Sequence, residues 1–182
     1  PTVGMVSPLK PQKAPLDFVR VAARIHRMRP DVQFLLVGDG ELRQAVERTV
    51  AELGLRQVFH LVGWRRDVPE VLRCLDLFML TSLWEGLPRV YLEAVASGVP
   101  VVGTRVDGAG EVIMEEVNGY LLPPGDVEGL ADRALYLLNH PSVAARMRQQ
   151  GDALTPEFDI YDMVRLQERE YEKVGSSRSV KV

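Results

Sequence analysis

A chain of 182 residues with 22 Lys and Arg against 25 Asp and Glu carries a formal charge of −3, and its 46% apolar and 26% charged residues are ordinary for a globular protein. That length holds one domain, or one and a half, with a real core. The slight negative charge without a long basic run argues against a nucleic-acid partner, and no apolar stretch approaches the ~20 residues of a membrane span.

Cys74 is the single cysteine and can form no internal disulfide, which fits a reducing, cytoplasmic setting; its apolar neighbours predict a buried small residue. No signal-peptide pattern opens the chain. It starts Pro1-Thr2-Val3-Gly4 and runs straight into a strand, which reads as a cut made just before a domain.

Thr2 to Val6 is a short strand, followed by a loop, Ser7 to Lys13, with Pro8 and Pro11. Ala14 to Arg29 places Phe18, Val21, Ala22, Ile25 and Met28 at helical spacing, and Pro30 closes that helix. Gln33 to Val37 is the second strand. Gly38-Asp39-Gly40 then turns into a helix from about Glu41 to Leu53, with Gly54 as its C′ residue. Val58 to Val62 is a third strand, Gly63 to Asp67 a loop and Val68 to Cys74 a short helix. Leu77 to Leu80 and Val99 to Gly103 are the fourth and fifth strands, with a helix between them, and Tyr120 to Leu122 is a sixth. Val127 to Asn139 and Val143 to Gln150 are helices joined at Pro141. A last helix runs from Ile160 to about Val174, before a polar tail, Gly175 to Val182, expected to be disordered.

Strands alternating with helices imply an α/β fold, a Rossmann-like doubly wound parallel sheet of six strands with helices on both faces. Such sheets carry ligands at the carboxyl ends of the strands, where the strand order reverses. In the order 3-2-1-4-5-6 the reversal falls between the first and fourth strands. The loop after the first holds Lys10 and Lys13, and the loop after the fourth holds Glu85 to Pro88. Topology alone brings the lysines and Glu85 to one crevice.

The stretch Leu80 to Ala94 concentrates the chemistry. Pro88 suits the first position of a helix, where its missing N–H is harmless. Glu85 then lies in the loop before the helix and Glu93 just past its first turn. The free N–H groups at the helix start favour an anion. A diphosphate at the helix end, with hydroxyls reaching each carboxylate, describes a sugar nucleotide.

The run Glu85-Gly86-Leu87-Pro88-Arg89-Val90-Tyr91-Leu92-Glu93 resembles the donor site of the retaining GT-B glycosyltransferases, family 4 in particular. So do Ala94 to Val102, Val37-Gly38-Asp39-Gly40 and Asn118 to Asp126, and the likeness runs from about Val3 to Tyr171 in the family's order. It implies the C-terminal, donor-binding half of an enzyme that moves a hexose-type sugar from a UDP-, GDP- or ADP-linked donor to an acceptor. The acceptor-binding N-terminal half is missing, so this half is expected to bind donor weakly and transfer poorly or not at all. Any peripheral membrane association would come through the missing half.

The resemblance assigns roles. Lys13 clamps the diphosphate, since a fixed cation stabilises charge built on the leaving oxygen. Glu85 contacts hydroxyls of the transferred sugar, and Glu93 those of the ribose. Backbone N–H groups of Gly86, Leu87, Arg89 and Val90 face donor oxygens. Trp64 and Arg65 border the base, and Glu111 lies near the sugar. The family follows its lysine with Gly, where this chain has Ala14, and usually has an Arg where this chain has Ser7-Pro8-Leu9. Lys10 is a substitute cation at a different position.

Each assignment has a plainer counterpart. Lys10, Lys13, Arg65 and Arg66 also read as solvated loop charges, Trp64 as packing, Glu93 as a favourable charge near a helix N-terminus and Glu111 as a favourable first-turn charge. Gly38-x-Gly40 lacks the third glycine of a dinucleotide fingerprint, Arg43 standing there, and reads as tight-turn chemistry lining the crevice. No Asp-x-Asp motif or Cys/His cluster is present, so neither cofactor nor metal is expected.

Two rivals remain: a nucleotide-sugar sensor or inactive partner subunit, and a sugar-nucleotide 2-epimerase. The division expected is 1–153 for the nucleotide-sugar-binding unit, 154–174 for a C-terminal crossover helix and 175–182 for the tail. The apolar positions Ile160, Met163, Val164, Leu166, Tyr171 and Val174 need cover. With the other lobe missing, the helix packs loosely, docks as a swapped arm on a second molecule, or folds onto its own domain. Thr155 to Asp159 is the hinge.

Overall fold

Short apolar runs at the chain's regular intervals become the strands of one sheet. The computed structural model describes residues 1–152 and 160–177. Its elements are β1 (Thr2–Val6), α1 (Pro15–Met28), β2 (Gln33–Val37), α2 (Arg43–Glu52), β3 (Phe59–Gly63), α3 (Val68–Arg73) and β4 (Leu77–Leu80), then α4 (Arg89–Ala96), β5 (Val101–Thr104), α5 (Ala109–Val112), β6 (Gly119–Leu122), α6 (Val127–Asn139), α7 (Pro141–Asp152) and α8 (Ile160–Ser177). The strand order is β3-β2-β1-β4-β5-β6, all parallel. This is the expected doubly wound arrangement, with its reversal between β1 and β4.

Leu77–Leu80 and Val101–Thr104 are buried at every position. Both faces of the central strands are therefore covered, as continuous apolar runs in parallel sheets require. α1 packs against α2 and α6, and α4 against α3 and α7. Phe18 of α1 meets Phe34 and Phe59 of β2 and β3 at ring-centroid distances of 6.5 and 5.6 Å. Tyr91 of α4 stands edge-on to Phe78 of β4 at 6.3 Å and fixes that helix to the sheet.

Several expectations are corrected. Cys74 is exposed: it caps the C-terminal end of α3, and its Sγ turns back to the Glu70 carbonyl at 3.3 Å. Met28, in the last turn of α1, is 70% exposed because the apolar stripe has by then rotated past the sheet. β3 starts one residue later than expected, and α7 starts at Pro141 itself. α8 continues through Gly175 to Ser177, so the first residues of the expected tail are helical, while 178–182 and the expected hinge at 155–159 lie outside the described residues. Residues 160–174 are exposed throughout. None of the described helices is long and apolar enough to cross a membrane.

Candidate functional site

At the carboxyl ends of β1 and β4 two loops are stitched together. The loop after β1 closes a single 3-10 turn, Pro11–Lys13, through bonds from Lys13 N to the Lys10 carbonyl and from Ala14 N to the Pro11 carbonyl, both 3.0 Å. The loop after β4 begins with Thr81 and Ser82, both fully buried. The Thr81 hydroxyl lies 3.0 and 2.9 Å from the carbonyls of Lys13 and Ala14, and Leu83 N donates to the Gln12 carbonyl at 2.8 Å. The Thr104 hydroxyl donates to the Ser82 carbonyl at 2.6 Å and ties the pair to β5.

This framework places Lys13 against Glu85. The Lys13 ammonium ion-pairs with Glu85 Oε1, and the side chains are only 15% and 9% exposed. The Ser82 hydroxyl donates to the same oxygen at 2.7 Å, and Gln12 Nε2 reaches Glu85 Oε2 at 3.3 Å and the Trp84 carbonyl at 2.9 Å. Sequence reasoning brought Lys13 and Glu85 to one crevice but missed Gln12 and Ser82. Their only sequence signal is adjacency: Gln12 precedes the lysine, and Ser82 stands three positions before the carboxylate.

Ala14 adopts φ 43°, ψ 52°, the left-handed conformation that a residue with a Cβ avoids. It sits where a glycine is usual in the resembled family, and the backbone keeps the glycine-like shape.

At the carboxyl ends of the strands lies an open cavity of about 330 Å³, whose lining includes Ser7, Gly38, Trp64, Arg65, Val90 and Glu93 but neither Lys13 nor Glu85. Residues from the loops after β1, β2 and β3 and from α4 thus converge on it. The walls close tightly. A Cβ at Gly38 would fall 1.9 Å from the Ser7 carbonyl oxygen, and one at Gly40 2.6 Å from that of Leu9. These glycines let the β2–α2 turn press against the loop after β1. The Ser7 hydroxyl is buried there without a hydrogen-bond partner.

The remaining predicted residues spread around the crevice. Pro88 is the N-cap of α4 rather than its first helical residue, because its ψ of 90° is extended. The helix start carries no side-chain cap, and Arg89 and Val90 occupy its first two positions. Gly86, Leu87 and Arg89 are exposed. Lys10 is exposed and makes no ion pair among the described residues. Glu111 is exposed on α5, whose N-cap, Gly108, packs against the Gly86 carbonyl so closely that a Cβ would come within 2.4 Å.

Two charged groups near the cavity are already partnered. Arg65 Nε donates to Asp67 Oδ1 at 2.8 Å, and this bond raises the guanidinium's pKa and lowers that of the carboxyl. The Arg66 guanidinium lies 5.3 Å from the centre of the exposed Trp64 ring. Beneath the site, the buried Tyr91 hydroxyl donates to the Thr104 carbonyl at 3.3 Å, and burial pushes its pKa well up. Among the described residues, no three His, Cys, Asp or Glu side chains gather in a metal-binding group.

Residues 1–140 match the family described as Glycosyl transferases group 1. The chain belongs to that family. Over 127 residues it is 37% identical to the UDP-Gal:alpha-D-GlcNAc-diphosphoundecaprenol alpha-1,3-galactosyltransferase of Escherichia coli, covering 68% of this chain and 33% of the relative. Over 172 residues it is 36% identical to the N-acetyl-alpha-D-glucosaminyl L-malate synthase of Bacillus anthracis, covering 88% of this chain and 45% of the relative. Among solved structures, Anabaena Alr3699/HepE in complex with UDP is 28% identical with a TM-score of 0.86, covering 96% of this chain and 48% of that one; it has also been solved with UDP-glucose. The chain thus spans between a third and a half of the length of these relatives.

Proposed function

We propose that this glycosyl transferase group 1 chain is the donor-binding half of a retaining, family 4 hexosyltransferase that takes a UDP-linked sugar. One observation carries the reading: Lys13 and Glu85 stand side by side at the sheet's switch point, and the loop after β1 that carries Lys13 also lines, through Ser7, a cavity shared with Glu93 and Trp64. UDP is favoured over GDP and ADP because a 28% identical neighbour of the same fold was solved with UDP and UDP-glucose.

The roles follow from charge. The diphosphate draws on the Lys13 ammonium and on the free N–H groups at the start of α4. Glu93 accepts from ribose hydroxyls, and Glu85 from hydroxyls of the sugar. When the bond from the anomeric carbon to the leaving phosphate oxygen breaks, Lys13 stabilises the charge left on that oxygen. The departing phosphate takes the proton of the attacking acceptor hydroxyl, on the same face, so configuration is retained and no protein base is required. Acceptor binding belongs to an N-terminal lobe, and this half alone transfers poorly.

Calorimetric titration with UDP, GDP and ADP, in buffer with and without EDTA, tests the reading. Binding of UDP ahead of the others, unchanged by EDTA, is expected. No binding of UDP, or a strict need for a divalent ion, overturns it. A second reading, an inactive partner subunit or sensor, rests on Pro8, which offers no cation where the resembled family usually has Arg. Donor hydrolysis by the full-length enzyme separates the two.

A further inference from the structure

We propose that Gln12 is a positioning residue: with Ser82 it sets which hydroxyl of the donor sugar Glu85 accepts. The inference rests on the reading of the crevice as a donor site.

An ionised carboxylate offers about four lone-pair directions, two on each oxygen. Lys13 and the Ser82 hydroxyl take both on Glu85 Oε1, and the Gln12 amide takes one on Oε2 at 3.3 Å. The direction left open is on Oε2, beside that amide. An incoming hydroxyl therefore has one approach to Glu85, and Gln12 forms its edge.

The Gln12 side chain is held for this task. Its Nε2 also donates to the Trp84 carbonyl at 2.9 Å, and the Gln12 main-chain carbonyl, which anchors the residue, accepts from Leu83 N at 2.8 Å. Tying the loops together does not need the side chain, because Thr81 and the Leu83 backbone bond already do so. What the amide adds is the contact with the carboxylate. It is uncharged, so its effect falls on the sugar and not on the diphosphate, which answers to Lys13.

The geometry arises from consecutive positions. The 3-10 turn at Pro11–Lys13 lets an amide and an ammonium, one residue apart, reach opposite oxygens of one carboxylate.

Two near-isosteric variants test the assignment. Gln12→Met keeps the length and removes the amide, and Gln12→Glu keeps the shape and sets a second carboxylate against Glu85. Each is titrated with UDP, UDP-glucose, UDP-galactose and UDP-N-acetylglucosamine, and its melting temperature is recorded. In the unaltered chain one sugar nucleotide should bind more tightly than UDP. Gln12→Met should keep the UDP affinity and cut that sugar-dependent gain by about three- to tenfold, the worth of one hydrogen bond. Gln12→Glu should abolish it. Equal losses for UDP and its sugars, unchanged gains, or variants that both melt far below the parent make Gln12 structural and overturn the inference. No sugar-dependent gain in the parent overturns it while leaving the donor-site reading intact. No UDP binding at all overturns the donor-site reading itself.

Discussion

Lys13 and Glu85, 72 positions apart in the chain, form an ion pair that joins the loop after β1 to the loop after β4. Both side chains are largely withdrawn from water, and both belong to the proposed donor site. The same contact therefore supports the fold of the crevice and sets the charge that a ligand meets there.

Removing one partner of such a pair leaves the other charge uncompensated. Lys13→Ala is expected to destabilise the chain by about 3 kcal/mol, and Glu85→Gln in the same chain to restore much of the loss. Urea unfolding of both single variants and the double variant measures the coupling. Additive costs would show that the pair contributes nothing. In titrations, Lys13→Ala should weaken UDP far more than uridine, and UDP binding to the unaltered chain should fall as salt rises. A uniform loss across both ligands would point instead to a distorted fold.

Ala14 pays for its left-handed backbone at φ 43°. Ala14→Gly is expected to stabilise the chain by about 1 kcal/mol, because the strain of the Cβ exceeds the extra flexibility that glycine adds to the unfolded state. An unchanged or lower midpoint in urea would mean that the turn is not strained.

How much of this was legible follows from where the information lies. Strand order came from apolar runs such as Leu77–Leu80, because a fully buried strand must be apolar at successive positions. The convergence of the two loops then followed from topology. Contacts within the crevice were not legible, because the partners of Glu85 depend on the rotation of a single 3-10 turn. Gln12 is polar, lies in a loop and belongs to no periodic pattern. Cys74 was misjudged for a similar reason: apolar neighbours such as Leu72 and Leu75 turn inward, while position 74 turns out. Pro88 missed its place by one residue, since a proline's fixed φ serves an extended N-cap as well as a first helical turn.

Glu93 lines the cavity from α4 with an exposed carboxylate. If it accepts from ribose hydroxyls, Glu93→Gln should weaken UDP binding by about 1.5–3 kcal/mol, the range for a charge-assisted hydrogen bond. The 2′-deoxy analogue should lose a similar amount against the unaltered chain and little more against the variant. Equal affinities of parent and variant would remove Glu93 from the site.

The last expectation concerns α8. Residues 160–174 are exposed throughout, including Ile160 at 60%, Leu166 at 59%, Tyr171 at 77% and Val174 at 60%. Local ion pairs, Asp162 with Arg165 at 3.5 Å and Glu170 with Lys173 at 2.5 Å, favour the helix without burying it. A helix that buries so little adds little to the stability of the sheet domain. A chain ending at Asp152 should therefore melt within about 2 °C of the full one, the shift that a change of roughly half a kcal/mol produces. An apolar face of this extent finds cover when a partner is available. The full chain is expected to associate as its concentration rises, by exchange of α8 between two copies, and the shorter chain to stay monomeric. Size-exclusion chromatography with light scattering reads the difference. If both chains are monomeric and α8 amides resist hydrogen exchange in the longer one, the helix is covered by its own domain and the exchange does not occur.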